Sequence, residues 1–367
     1  MSAVLVGDIA RAVAEKFPLE WAEPWDRVGL LAGDPAREVT GVVLALDPTR
    51  AAIASTVAAG ANVLVTHHPA ALTMPERLSP GRGAAGALFA ALDAGVALVN
   101  AHTNLDRAPG AGTLLPERLG LAPIRPVERA MQPMALVTVF VPAAALDRVA
   151  DAMAGAGAGR IGDYDACSFT SEGTGAFTPR ADSSPAVGAP DVASVAREVR
   201  LEMVAPRSRA RGVASAARAA HPYEEPLIAV AEVDIVRSSA RMGMLCAAPA
   251  DATLASVAAA AADAFGITPR VWGEPEARIE RVATATGSAG SLVSDVLATG
   301  AQALVAGEVR YHDALDAAEM GLGVVELGHD VSEWPLVTLL HRVILGIEGL
   351  DPERVSVLPA KPGWWTP

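Results

Sequence analysis

The sequence predicts an α/β fold: a two-lobed α/β domain with mainly parallel sheets, interrupted by a smaller α+β domain. Three observations carry this. Short apolar runs alternate with alanine-rich helical stretches at both ends of the chain. Glycines close several of those helices, where the left-handed turn suits a residue without a side chain. The middle third abandons the alternation for longer strand-like runs and a segment dense in Gly, Ser and Pro. Strand–helix alternation implies parallel strands with helices on the sheet faces.

Taken in order, MSAVLVGDIARAVAEKF predicts a strand or short loop and then an amphipathic helix. VTGVVLALD (39–47) predicts a strand, and TRAAIASTVAAG (49–60) a helix closed by Gly60. ANVLVTHHP is the next strand, stopped by Pro69. PGRGAAGALFAALDAG (80–95) predicts a second helix and VALVNAHTNLD (96–106) another strand. In the middle, MALVTVFVP (134–142) is strand-like and AALDRVADAMAGAGA helical. TSEGTGAFTPRADSSPAVGAP (170–190) follows, then the alternating strand EVRLEMVAP (198–206), a helix, and HPYEEPLIAVAEVDIV. Near the end, ARIERVATATG (277–287), AQALVAGE (301–308) and GVVELG predict strands, separated by SLVSDVLATG and HDALDAAEMG as helices and followed by SEWPLVTLLHRVILG as a helix. The expected organisation is an α/β domain in two halves, 1–125 and 246–367, with an inserted α+β domain at 126–245.

Composition narrows the function classes. A chain of 367 residues that is 51% apolar can bury a large core, and with 4% aromatic residues that core is aliphatic. The formal charge of −13 argues against a phosphate backbone as partner, so no nucleic acid partner is expected. Cys167 and Cys246 lie far apart without CxxC spacing, so a reducing compartment fits better than a disulfide framework. The N-terminus lacks the basic start and apolar core of a signal peptide, and no apolar run reaches the ~18 residues a membrane span needs. The expectation is a cytoplasmic protein with no membrane association.

Histidine is scarce, seven in the chain, yet it gathers at strand ends. One strand ends in His67-His68-Pro69, a second in His102-Thr-Asn-Leu-Asp106, a third in His329-Asp-Val-Ser-Glu333. Residues just past the carboxyl ends of parallel strands converge on one crevice. Neutral imidazole and carboxylate are the natural ligands of Zn, Fe, Mn and related divalent ions. Neighbours on an extended backbone point opposite ways, so His67 and His68 suit two ions better than one. Two ions about 3.5–4 Å apart need a shared anion, which a carboxylate can supply. Each histidine alone is more often a polar residue hydrogen-bonded near the surface; three strand ends that together carry imidazoles and carboxylates are harder to explain that way.

WDRVGLLAGDP (25–35), VTHHP (65–69), NAHTNLD (100–106), GEVRYHDA (307–314) and ELGHDVSE (326–333) resemble, in order and through nearly the whole chain, the family named for NGG one interacting factor three. Its members are also called dinuclear metal-centre hexameric proteins or GTP cyclohydrolase 1 type 2 homologs. YDACSF, GTGAF and AHPYEEPLI resemble the PII-like, ferredoxin-like domain inserted in the longer bacterial members. The resemblance implies His67, His68, Asp106, His329 and Glu333 as metal ligands. It implies His68 and Asp106 on one ion, His67 and His329 on the other, and Glu333 on both. It also implies a homohexameric ring with the inserted domains grouped as trimeric caps. Departures from the family pattern leave these ligands intact: Arg27 where asparagine is common, Glu308 and Arg310 for aspartate and lysine, and no cysteine in TATGSAGS (284–291).

The remaining candidates keep two readings each. His102 is a base, a proton shuttle, a partner of a metal ligand, or structural. Glu308 and His312 follow a strand end and are catalytic candidates, although a carboxylate at a helix start is often only a cap. Gly287-Ser288-Ala289-Gly290 could offer backbone N–H groups to a phosphate, or simply join strand to helix tightly. His221, Glu224 and Glu225 are expected to be structural, as are His341, Tyr223 and Tyr311. The function expected is that of a hydrolase using two divalent metal ions per chain and a bridging water, on a small molecule such as a nucleotide or a phosphoester. The alternative is a hexameric metal-binding or ligand-sensing ring without turnover.

Overall fold

Alternating apolar runs become buried parallel strands at each end of the chain. The structure is a computed structural model and describes residues 3–23, 25–81, 83–128, 131–161, 164–236 and 240–360, with the side chains of 131–133 and 236 outside the description. In chain order it begins α1 (Val6–Lys16), β1 (Gly29–Ala32), β2 (Val42–Ala45), α2 (Arg50–Ala58), β3 (Val63–Thr66), α3 (Gly83–Asp93) and β4 (Ala97–Asn100). Three short helices, α4 (Thr103–Asp106), α5 (Pro109–Gly112) and α6 (Leu114–Leu119), lead to β5 (Ala122–Pro126). Then follow β6 (Met131–Val141), α7 (Leu146–Gly155), β7 (Phe169–Phe177), β8 (Ser194–Pro206), α8 (Ala210–Ala220) and β9 (Ile228–Val236). The chain ends with β10 (Met244–Ala247), α9 (Leu254–Phe265), β11 (Arg270–Trp272), β12 (Arg281–Ser288), α10 (Val293–Thr299), β13 (Ala303–Glu308), α11 (Tyr311–Glu319), β14 (Gly323–Glu326), α12 (His329–Leu345) and β15 (Val355–Val357).

The chain divides into two compact units, Met1–Arg129 with Ala240–Pro367, and Ala130–Ser239. The insertion is therefore shorter than the 126–245 expected. The reason is local: β5 and β10 pair with each other at the edge of a sheet of the larger unit, which draws both flanks into it.

The larger unit holds two sheets, ordered β1-β4-β3-β2-β15 and β11-β14-β13-β12-β10-β5. Their first four strands match place for place. In each, three strands run parallel and a short antiparallel strand closes one edge. In each, the closing strand is followed by a glycine at positive φ, Gly33 at 114° and Gly273 at 109°. Both approach backbone closely: a Cβ on Gly33 would lie 2.8 Å from the Ala97 Cα, and one on Gly273 3.2 Å from the Gly323 Cα. The larger unit is thus an α/β motif used twice.

Valine and leucine runs occupy the central strands because helices cover both faces. One face of the first sheet packs Val42, Leu44, Val63, Val65 and Val99 against α1 and α12. The other packs Val43, Leu64 and Leu98 against α2 and α3. The second sheet buries Ala283, Leu304 and Val324 against α10 and α11, and Val282, Val305 and Val325 against α9. Helix α12 starts at the end of β14 but places Leu336, Val337, Leu340 and Ile344 in the core of the first sheet. That crossing brings the two sheets' strand ends together.

The inserted unit is β-α-β-β-α-β with sheet order β7-β8-β6-β9, a ferredoxin-like arrangement. Val137, Val139, Leu201 and Met203 face Val149, Met153, Val213 and Ala217 of α7 and α8. The glycine-bearing start of the Gly/Ser/Pro-dense segment is the edge strand β7, where a glycine weakens pairing least. Among the described residues, no helix is long and apolar enough to cross a membrane.

Candidate metal centre

Strand β3 delivers the histidine pair. Thr66 Oγ1 donates to the His68 carbonyl at 2.7 Å and fixes the exit of the strand. His67 is fully buried and His68 half-buried, their ring centroids 5.0 Å apart. Strand β4 delivers His102 at the start of α4 and, one turn on, buried Asp106. Strand β14 delivers His329 at the start of α12 and, one turn on, buried Glu333. Residues four apart on a helix share a face, so both histidine–acid pairs aim the same way.

One feature unites the four imidazoles. Each presents Nδ1 to an oxygen that can only accept: His67 to the Ala101 carbonyl at 2.9 Å, His68 to Asp47 at 2.8 Å, His102 to Asp26 at 2.8 Å and His329 to Glu308 at 3.1 Å. Nδ1 therefore carries a proton in every case, and in the neutral ring Nε2 bears the lone pair. This is how proteins orient histidines that bind metals.

The Nε2 atoms converge with the carboxylates. His67 Nε2 lies 3.6 Å from Glu333 Oε1 and 3.8 Å from Asp106 Oδ2. His68 Nε2 and His329 Nε2 lie 2.8 and 3.2 Å from Glu333 Oε2. Three overlapping groups each bring their donor atoms within 4.8 Å of one another: His67–Asp106–Glu333, His68–His329–Glu333 and His67–His68–His102. His67 Nε2 and Glu333 Oε2 are nevertheless buried without a hydrogen bond, since the close approaches to Glu333 Oε2 lack hydrogen-bond angles. Buried polar atoms are almost always satisfied, so two orphans in one cluster point to an absent ligand. Nitrogen and carboxylate oxygen are the right donors for a divalent ion, and the residues present fit one.

The grouping corrects one expectation. Asp106 lies with His67, not His68, and His329 lies with His68, not His67. His67 turns inward beneath the end of β4, beside Asp106; His68 turns toward the α12 N-terminus that carries His329. Glu333 belongs to both groups, one oxygen to each. The adjacent histidines fall in different carboxylate-bearing groups, although a third group joins both to His102.

The neighbourhood of Glu333 is carved for its carboxylate. Gly287, at φ 60°, stands where a Cβ would lie 2.1 Å from Glu333 Oε1. Its N–H donates to Ser332 Oγ at 2.9 Å, so it is not free for a phosphate. The Gly287–Gly290 turn serves close approach. Thr286 Oγ1 donates to Asp106 Oδ1 at 2.8 Å, leaving Oδ2 toward His67. Arg107, next in sequence, is engaged by Glu23 at 2.6 Å and Glu128 at 2.8 Å.

Electrostatics follow from this crowding. Burial works against a charge on His68, but the Asp47 and Glu333 carboxylates outweigh it and raise its pKa to about 10. His329 rises to about 9, chiefly through its contact with Glu333. His67 is raised against its burial by Asp106 and Glu333. Burial would raise Glu333, yet the surrounding histidines hold it well below the usual carboxylate range. Burial pushes Asp106 up. Asp26 is held at about 2 against its burial by His102 and Thr103. Without a metal, the cluster binds protons; a cation must displace them.

Of the residues expected to be catalytic, His102 lies in the cluster and Glu308 touches it through His329. His312 lies in none of the groups: it is exposed on α11, its ring against Tyr311. His221 engages both ring nitrogens, one with the Phe140 carbonyl and one with the Tyr223 N–H. Sequence reasoning passed over Asp26 and Asp47. Asp47 ends the strand VTGVVLALD, so the strand-end argument that found the histidines reaches it too. Asp26 precedes a four-residue edge strand that shows no pattern.

Residues 4–349 match the family model for Duf34/NIF3 (NGG1p interacting factor 3). The chain is 32% identical over 368 residues to the GTP cyclohydrolase 1 type 2 homolog of Mycobacterium tuberculosis, covering 98% of this chain and 96% of the relative. It is 30% identical over 319 residues to the protein of the same name from Bacillus subtilis, covering 86% of each. Among solved structures it resembles a Bacillus cereus protein related to NIF3, with a TM-score of 0.65 and 28% identity over all of both chains. It likewise resembles the Staphylococcus aureus protein SA1388, with a TM-score of 0.66 and 25% identity over all of both chains. A fold built twice around one cluster of strand-end ligands, and matched from end to end in sequence, makes this chain a member of the DUF34/NIF3 family.

Proposed function

We propose that the cluster holds two divalent metal ions and that the protein is a metal-dependent hydrolase of a nucleotide or phosphoester-like substrate. The observation that carries this reading is the set of four histidines, each fixed at Nδ1, three of which (His67, His68 and His329) bring Nε2 to the Glu333 carboxylate, with His67 Nε2 and Glu333 Oε2 left as buried orphans. His67, Asp106 and Glu333 Oε1 would hold one ion; His68, His329 and Glu333 Oε2 the other. Bound there, the ions would supply Lewis acidity and lower the pKa of a water molecule. His102, oriented by Asp26, stands beside both histidines of β3 and is placed to accept or return a proton at Nε2. Glu308 acts as a positioning residue for His329.

The relatives' name, GTP cyclohydrolase 1 type 2 homolog, supports a purine nucleotide as substrate. Trp25 supports an aromatic ring as part of it: this side chain is 56% exposed, yet its ring stands edge-on to His102 at 6.1 Å. Phosphoester hydrolysis would use the same ligands. A homohexamer in the cytoplasm, with a PII-like inserted unit, completes the reading; Zn, Fe and Mn all suit the donor set.

The test is metal analysis of purified protein together with a turnover screen on nucleotides and generic phosphoesters. Two ions per chain are expected, with metal-dependent turnover that His68→Ala abolishes. Two ions retained in Glu333→Gln would overturn the ligand assignment. Two exchangeable ions without turnover of anything would favour a metal-binding ring.

A further inference from the structure

The inserted unit has a cavity of its own, of about 660 Å³. That volume falls within the range of small-molecule pockets, roughly 300–1,000 Å³. Its floor is the sheet face turned away from α7 and α8, where Phe140, Glu198 and Arg200 stand in register with Ser171 and Gly173 of β7. Gly173 of β7 leaves the space: a Cβ there would meet nothing within 4 Å. Pro185 and Val187 of the following loop form a roof, and the turn from Tyr223 to Leu227 forms a wall. The roof is fastened. Asp191 N–H donates to the Pro179 carbonyl at 2.8 Å, and Ser184 N–H to Glu224 Oε2 at 3.0 Å.

The charge of the lining is one-sided. Among the described residues, Glu172, Glu198, Glu224 and Glu225 line it against a single cation, Arg200. Arg200 is engaged by Glu202 at 2.6 Å, and Glu225 by Arg218 at 3.0 Å. No cation among the described residues pairs with Glu172, Glu198 or Glu224. These carboxylates do not gather around one point: among the described residues, no group of metal-ligating atoms forms in this unit. A metal ion is therefore a poor occupant. Phe177 and Tyr223, their centroids 6.3 Å apart, add two aromatic faces beside the carboxylates. The Tyr223 hydroxyl is buried and lacks a well-formed hydrogen bond. Burial and the neighbouring Glu198 carboxylate push its pKa up to about 12, so it stays a neutral phenol.

We propose that this cavity binds a small organic cation, an ammonium group carried on an apolar body. Glu198 receives the ammonium, the aromatic rings flank it, and Phe140, Val187 and Leu227 cover the apolar part. A carboxylate-lined, aromatic-walled pocket suits such a ligand, because carboxylates and ring faces both attract a desolvated cation.

Calorimetry on the full-length protein with three probes of one shape tests this: phenethylammonium, 2-phenylethanol and phenylacetate. The ammonium is expected to bind at least about tenfold more tightly than the alcohol, with phenylacetate weakest. Glu198→Gln should remove that preference while leaving the alcohol unaffected. Gly173→Phe, which fills the open space, should abolish binding of all three. His68→Ala should change none of them, which separates this result from the fate of the metal-centre reading. Equal binding of the ammonium and the alcohol, or an ammonium preference that survives Glu198→Gln, overturns the proposal. Binding that survives Gly173→Phe in a protein with an unchanged melting profile overturns the location.

Discussion

The two halves of the larger unit share one strand order but treat their strand ends differently. In the first half, β2 leads to Asp47, β3 to His67-His68, and β4 to His102 and Asp106. In the second, β12 carries Gly287 next to its last residue, β13 ends at Glu308, and β14 leads to His329 and Glu333. Both halves thus place a histidine at a helix start with an acid four residues on. The first half sinks most of its groups: His67 has no exposure and the Asp26 side chain behind His102 has none, with only Asp47 beside His68 left 52% exposed. The second leaves His329 at 36% and its orienting Glu308 at 54% side-chain exposure. Duplication supplied two similar half-sites. Burial then covered more of one than of the other, with Glu333 reaching into both.

Glu333 is where that division is most exposed to test. If the centre holds the two ions per chain proposed, Glu333→Gln should reduce bound metal to less than one by elemental analysis, whereas Asp106→Asn should remove only the ion shared with His67. Equal losses would dissolve the distinction between the groups.

Gly287 comes next. Gly287→Ala puts a Cβ against Glu333 and strains a left-handed residue, so it should lower the unfolding free energy by about 1–3 kcal/mol and metal content with it. Gly60→Ala in the first half, also left-handed at φ 69° but in open space, should cost only about 1 kcal/mol and leave the metal untouched. Chemical denaturation and metal analysis of both variants make the comparison.

The orienting carboxylates should differ in the same direction. Removing a group that orients a metal-binding histidine typically weakens affinity about 10–100-fold. Asp26→Asn should approach the upper end, because its carboxylate is buried and also accepts from Thr103. Glu308→Gln should stay near the lower end, since solvent can replace an exposed oxygen. Competition with a chelator would rank them.

The smallest effect is on pH. In metal-free protein, the proton on His68 stabilises the folded state, because the folded pKa of about 10 exceeds the ordinary 6.5. That stabilisation is complete below pH 6.5 and is lost as pH rises through about 10. Thermal melts of chelator-treated protein should therefore decline across this window. Metal-loaded protein should show no such decline, since its ligating histidines are already neutral.

Much of this architecture was legible. The buried runs of β2, β3, β4, β12 and β13 announced parallel strands, because residues covered on both faces must be apolar throughout. The closing strands β1, β11 and β15 were not, since three or four partly exposed residues show no periodicity. The place-for-place match of the two halves was missed for a related reason: it lies in strand order and in two glycines, not in repeated words.

For the centre itself, the sequence determined which donors stand at strand ends and, through histidine–acid spacing on helical turns, which of them share a face. These are local consequences of chain geometry. The tertiary structure decided which histidine keeps company with which acid, because the pairing depends on α12 crossing from one sheet into the core of the other. It also decided which ring nitrogen is free. That depends on Asp26, Asp47, Glu308 and the Ala101 carbonyl, oxygens brought to the histidines by packing between segments that sequence spacing cannot relate.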